Sequence, residues 1–430
     1  MMLPEAVARA YNDILKEELL VAMGCTEPIA IAYAASILRK ALGCEPESVQ
    51  AKLSGNIIKN VKSVIVPATG GLHGIESAIA AGIAANAPEK ELEVLTVLKP
   101  GDQDAIRGIL GRCSITVEEM ASEHTFDLQL IGRAKGITAT VRICKNHTNV
   151  VLVLRDETDL TADHIRSIME EESTQTDRSV LNVEDIVTFA KSADLSEIEP
   201  LLRRQIEMNM AIAEEGLRGE YGASIGKVLF AGGNATVRDR ARAYAAAGSD
   251  ARMSGCEMPV GIISGSGNQG ITAAVPVVVY GRELGADEEQ ILRAVLLSDL
   301  ITIHQKTGIG TLSAYCGAIS AGCGSAAGIC FLQGGDFHQI AHTLVNAVAI
   351  LSGTICDGAK PSCAAKIAMA VESGIMGYEM MRSGHQFYGG DGIITKGVEN
   401  TIRNVGRLAR DGMSQTDREI IRIMLQTPDC

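Results

Sequence analysis

The chain has 430 residues, 46% of them hydrophobic and 21% charged, enough for two or three domains around a sizeable core. Its 39 basic and 52 acidic side chains leave a formal charge of −13, and six phenylalanines, eight tyrosines and no tryptophan are available for stacking. Nucleic acids and anionic membranes both ask for a basic surface, so this balance argues against either partner and for a small-molecule ligand. Aromatics are scarce and there are 45 glycines, so the core is built from small residues that let helix backbones approach closely.

The opening stretch, MMLPEAVARAYNDILKEELL, has the charged, amphipathic pattern of a helix and lacks the apolar run of a signal peptide. With eleven cysteines in a long chain, this points to the reducing cytoplasm and to free thiols or a metal site rather than disulfides. A helix is expected over 3–23, with Pro4 in its first turn and Gly24 at its end. Thr26 is then expected to cap a second helix, EPIAIAYAASILRKALG. LSGNIIKNVKSVIVPATGGLHG reads as short extended pieces and loops, followed by a helix near 75–87.

Residues 92–155 change character. LEVLTVL, TFDLQLIG, ITATVRIC and NVVLVLRD read as strands by alternation and β-branching, with KNHTN, 145–149, as a hairpin turn. The polar run RDETDLTADHIRSIMEEESTQTDRS marks a boundary. From about 183 helical patterns dominate, from SEIEPLLRRQIEMNMAIAEEGLRG to TDREIIRIML. The expected fold class is α+β. An N-terminal helical segment, 1–90, packs on the catalytic domain; a small α+β domain with an antiparallel sheet covers 91–182; a mainly helical catalytic domain covers 183–430. Two uncharged stretches, 258–281 and 307–335, are long enough to cross a bilayer. Gly, Ser, Asn, Gln and Thr dilute both, and they read as buried segments of a soluble domain.

GSGNQG, 265–270, fits G-x-G-x-x-G but lacks a βαβ setting and has Pro276 where a packed helix would run. A loop offering backbone N–H groups and amides to a carboxylate explains it better than a dinucleotide, and a tight turn between buried elements remains an alternative. No C-x-x-C occurs. Cys316, Cys323 and Cys330 repeat every seven residues, a spacing that puts them on one helix face but far apart along it. CDGAKPSC, 356–363, differs, because Gly358 and Pro361 break helix geometry and let the loop curl back. On spacing alone ordinary buried thiols outweigh a metal site. Cys25, in GCTEP, precedes the expected cap, where the helix dipole and free N–H groups lower a thiol pKa and Glu27 opposes them. Cys44, in GCEPE, has the same local context, so nothing local ranks one above the other. His304 reads as a satisfied core histidine, and Lys306, Lys360 and Lys366 show no spacing that marks a Schiff base.

Taken together, GCTEP, SGNIIKN (54–60), GSGNQG, YCG (315–317) and CDGAKPSC resemble the L-cysteine desulfidases, relatives of the alpha chain of iron–sulfur L-serine dehydratases. The resemblance runs from about residue 5 to 425. It implies a lyase that needs no pyridoxal phosphate and carries an oxygen-sensitive [4Fe–4S] cluster held by three cysteines. Its reaction is β-elimination of sulfide from L-cysteine, giving pyruvate, ammonia and hydrogen sulfide. Carried onto this sequence, the ligands are Cys316, Cys356 and Cys363, with Cys323 the rival for the first. Cys25 is the base, or a labile fourth ligand. Ser54, Asn56, Ser266, Asn268 and Gln269 are candidates to hold the substrate carboxylate. An L-serine or L-threonine dehydratase, a non-catalytic sensor and a pyridoxal-dependent desulfhydrase are the alternatives. The expected partner is a small amino acid, without nucleic acid or membrane, and a homodimer is allowed.

Overall fold

Apolar residues at alternating positions of 48–53 and 127–155 build a mixed sheet against which two alanine-rich helices lie. The computed structural model describes residues 3–161, 176–231, 235–310 and 313–426, so most of the expected polar boundary, 162–175, falls outside the described residues. The first half of the chain contains α1 (Glu5–Glu18), β1 (Leu20–Met23), α2 (Thr26–Leu42), β2 (Ser48–Leu53), α3 (Gly55–Val61), α4 (Gly74–Ala85) and α5 (Gln103–Arg112). The strands β3 (Ser114–Glu119), β4 (Asp127–Ala134), β5 (Ile137–Cys144), β6 (Val150–Arg155) and β7 (Thr158–Asp159) follow. The sheet order is β3-β2-β4-β5-β6-β7. One row of its inner face runs Ala51, Leu130, Val141, Val153 across paired positions, all fully buried. The residues of α2 and α4 share this core.

The second half is helical: α6 (Val183–Ser192), α7 (Glu199–Arg218), α8 (Ile225–Phe230), α9 (Val237–Met253), then β8 (Pro259–Ile262) and α10 (Gly267–Glu283). After these come α11 (Glu288–Ile309), α12 (Gly317–Leu332), α13 (Phe337–Ile350), α14 (Cys363–Arg382), α15 (Val398–Arg407) and α16 (Ser414–Gln426). Capping boxes open α9 (Thr236 with Asp239), α11 (Asp287 with Gln290) and α13 (Asp336 with Gln339). The two uncharged stretches lie mainly in α10 and α12, inside the larger core. Among the described residues no helix is long and apolar enough to cross a membrane.

Several expectations are corrected. The first helix stops at Glu18, because Leu20–Met23 pairs antiparallel with β8, Leu20 opposite Ile262 and Ala22 opposite Val260. SGNIIKN is helical, since Ile57 and Ile58 both find buried places as one turn of α3. LEVLTVL forms 3₁₀ turns, for it follows Pro88 and only Val94 and Leu95 of the run are buried, so no alternating face exists. The helix after GSGNQG runs straight through Pro276. The sheet is not wholly antiparallel, because β2 lies parallel to β3.

The first 90 residues also do not pack as one piece on the helical domain. Tyr11 to Ala22 joins the large core, whereas Cys25 to Ile83 shares its core with the sheet through Val153. The reason is that α2 is buried on nearly every side and the sheet is its cover.

Small residues set the helix crossings, as the composition leads one to expect. A Cβ on Gly374 of α14 would lie 2.4 Å from the Gly322 carbonyl oxygen of α12, and one on Gly322 would lie 2.4 Å from that of Ala370. Gly374→Ala should therefore cost about 1–3 kcal/mol, read as a lower urea midpoint. Gly111→Ala on α5, where nothing stands within 4 Å of a new Cβ, should leave the midpoint unchanged or raise it.

Candidate active site

Backbone pairing brings two of the cysteines side by side. Tyr315 and Ile355 form an isolated antiparallel bridge. The Cys316 N–H donates to the Thr354 carbonyl at 3.0 Å, and the Cys356 N–H donates to that of Ala314 at 2.6 Å. The chain then turns at Gly358, φ +92°, where a Cβ would lie 2.1 Å from the carbonyl oxygen of Lys59 on α3. Only glycine permits both that dihedral and that approach. Cys363 opens α14, its N–H bonded to the Lys360 carbonyl at 2.9 Å and its thiol 3.6 Å from the Gly358 carbonyl. Asp357 pairs with both Lys360 and Lys366 and is held down to about 2: burial opposes this, and the two ammonium groups outweigh burial.

Cys316, Cys356 and Cys363 line one cavity of about 120 Å³. This is smaller than the roughly 300–1,000 Å³ of sites for drug-sized ligands and suits a small metabolite. Burial pushes the Cys316 thiol up to about 12, helped by the neighbouring Cys356 and Cys363. The heptad stripe does not hold together as a site. Cys316 precedes the first turn of α12 and faces the cavity, whereas Cys323 and Cys330 point into the core. Burial raises Cys323 to about 12 and Cys330 to about 11.

The opposite wall comes from GCTEP. Cys25, not Thr26, is the residue that caps α2, and it is 4% exposed. Its thiol donates to Glu27 Oε2 at 3.1 Å, the Thr26 hydroxyl stands 3.1 Å from the same oxygen, and Asn60 Nδ2 donates to Glu27 Oε1 at 3.0 Å. The expected fall in the Cys25 pKa is not found. Burial first, then the Glu27 charge, push it well above the ordinary thiol value, and Arg252 and the backbone N–H of Glu27 do not offset them. Burial alone would raise Glu27 as well, yet His147, the Cys25 S–H, its own backbone N–H and Arg252 hold it below the usual carboxylate value. Cys25 is thus a neutral thiol bonded to an ionised, buried carboxylate. Cys44, its local twin in sequence, lies outside the cavity.

The third wall is GSGNQG. Ser266 caps α10, its Oγ accepting the Gln269 N–H at 3.4 Å. Asn268 Oδ1 accepts from Arg252 Nη1 at 3.2 Å, and Gln269 packs on Gly317 beside Cys316. All three face the cavity. The motif's glycines serve packing: a Cβ on Gly270 would lie 2.0 Å from the Gly261 carbonyl oxygen of β8. Ser54 and Asn56 are not in the cavity wall. Ser54 donates to the Thr125 carbonyl at 2.8 Å at the start of α3, and Asn60, one turn on from Asn56, lines the cavity instead and holds Glu27.

Glu27, Asn60, His147, Arg252 and Lys306 are cavity residues that the sequence reading did not select. Glu27 and Asn60 belong to quoted motifs and were legible to that extent. His147 comes from the expected hairpin turn between β5 and β6, packs on Phe126 and has no partner for Nε2 among the described residues. Lys306 is buried in α11, and burial lowers it to about 8 although Cys356 and Cys316 oppose the shift. His304 is paired with Glu399 at 2.8 Å, as a satisfied core histidine.

Residues 156–422 match the model of the serine dehydratase alpha chain. The chain belongs to the serine dehydratase alpha chain family. A UPF0597 protein of Desulfitobacterium hafniense is 52% identical, over 97% of this chain and 96% of its own length. A UPF0597 protein of Treponema denticola is 42% identical over 99% and 100%, and one of Aeromonas hydrophila 37% identical over 96% and 95%. The segment of this chain that matches the serine dehydratase alpha chain model includes GSGNQG, Cys316, Cys356 and Cys363, while Cys25, Glu27 and His147 precede it.

The donor set of this family member fits an iron–sulfur group in kind. Besides Cys25, three thiols face one cavity, and the protons that burial holds on Cys316 and Cys363 would be released to a bound cation. Among the described residues no three His, Cys, Asp or Glu side chains converge as ligands of a single metal ion. A cluster whose thiolates bind separate irons does not need its ligands to converge on one ion. Gly358→Ala should lift the 356–363 loop from α3 at a cost of about 1–3 kcal/mol. Cys356 and Cys363 of the metal-free protein should then react faster with iodoacetamide, followed by mass spectrometry; unchanged rates would contradict the clamp.

Proposed function

We propose that the chain is an iron–sulfur lyase that eliminates sulfide from L-cysteine, giving pyruvate, ammonia and hydrogen sulfide in the cytoplasm. The observation that carries this reading is the single cavity lined by Cys316, Cys356 and Cys363 on one wall and the Cys25–Glu27 pair on another. A [4Fe–4S] cluster held by the three cysteines would supply a Lewis-acidic iron for the departing heteroatom.

The chain's own groups handle the proton and the orientation. Cys25 takes the proton from Cα as its own thiol proton passes to the ionised Glu27 Oε2, 3.1 Å away, so the proton ends on the carboxylate and no free thiolate forms. Asn60 holds the other oxygen of Glu27, so the carboxylate keeps one face toward the thiol. Ser266, Asn268 and Gln269, in the first turn of α10, offer hydroxyl and amide groups to the substrate carboxylate at the positive end of the helix. Lys306, buried near Cys316 and Cys356, offsets the charge of their thiolates.

A second reading is favoured by the match to the serine dehydratase alpha chain: the same groups acting on L-serine or L-threonine, with hydroxide as leaving group. Anaerobically purified protein assayed with the three amino acids side by side decides between them. Sulfide and pyruvate from cysteine at the highest kcat/KM support desulfidation, and faster ammonia release from serine or threonine transfers the assignment. Iron-bearing protein inert toward all three would end both.

Cys356→Ala and Cys363→Ala should each lose iron and activity. Cys25→Ala should keep its iron and lose about 10²–10⁴-fold in kcat, while Cys44→Ala turns over normally. Full activity of Cys25→Ala would remove the base assignment.

A further inference from the structure

We propose that Arg252 is the carboxylate anchor of this cavity, binding the acid group of a small α-amino or 2-oxo acid through its guanidinium. The amino-acid identity of the ligand rests on the lyase reading above; the need for an anion rests on the geometry alone. Arg252 lies in the last turn of α9, is 4% exposed and faces the cavity. Side chains that carry a charge this deep are normally paired. Among the described residues its hydrogen-bond partner is neutral, the Asn268 side-chain oxygen at 3.2 Å, and its Nε has no acceptor. Glu27 feels its charge, but the oxygens of Glu27 already serve Cys25, Thr26 and Asn60, and no carboxylate among the described residues forms an ion pair with Arg252.

A sequence feature left unexplained by dinucleotide binding falls into place with this assignment. A Cβ at Gly267 would lie 2.4 Å from Arg252 Nε, so the second glycine of GSGNQG is what lets the guanidinium lie across the first turn of α10. There the fork of N–H donors is added to the positive end of a 17-residue helix. A planar fork matches a carboxylate in a bidentate manner, which a point charge does not. Gln269 contributes a buried oxygen, also without a partner among the described residues, in the same cavity, an acceptor suited to the ammonium of an amino acid.

The test is equilibrium dialysis of radiolabelled pyruvate against anaerobically purified full-length protein, with pyruvamide, its uncharged counterpart, as competitor. Wild type should bind pyruvate and be displaced poorly by pyruvamide. Arg252→Gln should weaken pyruvate about 10–100-fold, the loss of one charge-assisted pair, with unchanged iron content, and Arg252→Lys should fall between. Equal affinity in Arg252→Gln, equal competition by pyruvamide, or no pyruvate binding by wild type would overturn the assignment. If Arg252→Gln does not fold, the pyruvamide competition on wild type and the Arg252→Lys variant carry the decision. Iron content and sulfide release on the same preparations report separately on the lyase reading. Arg252-dependent pyruvate binding without elimination would leave the anchor standing and remove that reading.

Discussion

The approach of Gly358 to the Lys59 carbonyl is the contact on which the rest of the site depends. It joins the cysteine loop of the helical half to α3 of the sheet-bearing half at a distance no side chain tolerates. On one side of it Cys356 is clipped to Cys316 by the Tyr315–Ile355 bridge; on the other, Cys363 starts α14. Nearby, Lys59 is 1% exposed and paired with Asp417 of α16, and it also reaches the Ser313 carbonyl at 3.5 Å. The cavity is therefore an interface, with thiols from one body and the Cys25–Glu27 pair from the other. The Thr26–Gly265 contact at 3.1 Å fastens the same seam, just after β1, which pairs with β8 on the helical side.

Charge in this seam is buried and nearly self-contained. Glu27, Arg252 and Lys306 are each under a tenth exposed. Water cannot solvate them, so burial and the neighbouring groups set the protonation states of Glu27 and Lys306. Glu27 stays ionised because donors surround it, and that ionised group in turn keeps the Cys25 proton in place. A thiol beside a carboxylate is a weak nucleophile but a ready proton carrier, since the acceptor is already in hydrogen-bond contact. The arrangement suits moving a proton at the cavity wall more than attacking a carbonyl.

The helical body achieves its close crossings with glycine and alanine instead of large interdigitating side chains. Gly322, Gly374 and Ala370 bring α12 and α14 together at backbone distance. Because Cys316 and Cys363 sit at the N-terminal ends of those same helices, the crossing fixes the separation of the two thiols.

Much of the fold was legible in the sequence. Strand alternation located β4, β5 and β6, and helical patterning located the long helices after about residue 183. The quoted motifs contain Cys25, Cys316, Cys356, Cys363, Ser266, Asn268 and Gln269, residues that share one cavity. Periodicity and turn chemistry are local properties, and a contiguous motif displays them. Local pattern could not decide between Cys25 and Cys44, or between Cys316 and Cys323, whose immediate neighbours are alike. It also had no means of finding Arg252 and His147, which lie in a helix and a hairpin turn with no motif around them. Nor could it foresee that Leu20–Met23 would leave its helix to pair with a strand more than two hundred residues away. The sequence alone determined which segments could be helix or strand and which short motifs carry reactive groups, because those depend on neighbours along the chain. Which thiols face the cavity, which acid sits against Cys25 and which cation has no carboxylate partner among the described residues were decided only by the tertiary structure. Burial and charge pairing are set by residues distant in sequence that packing brings within a few ångströms.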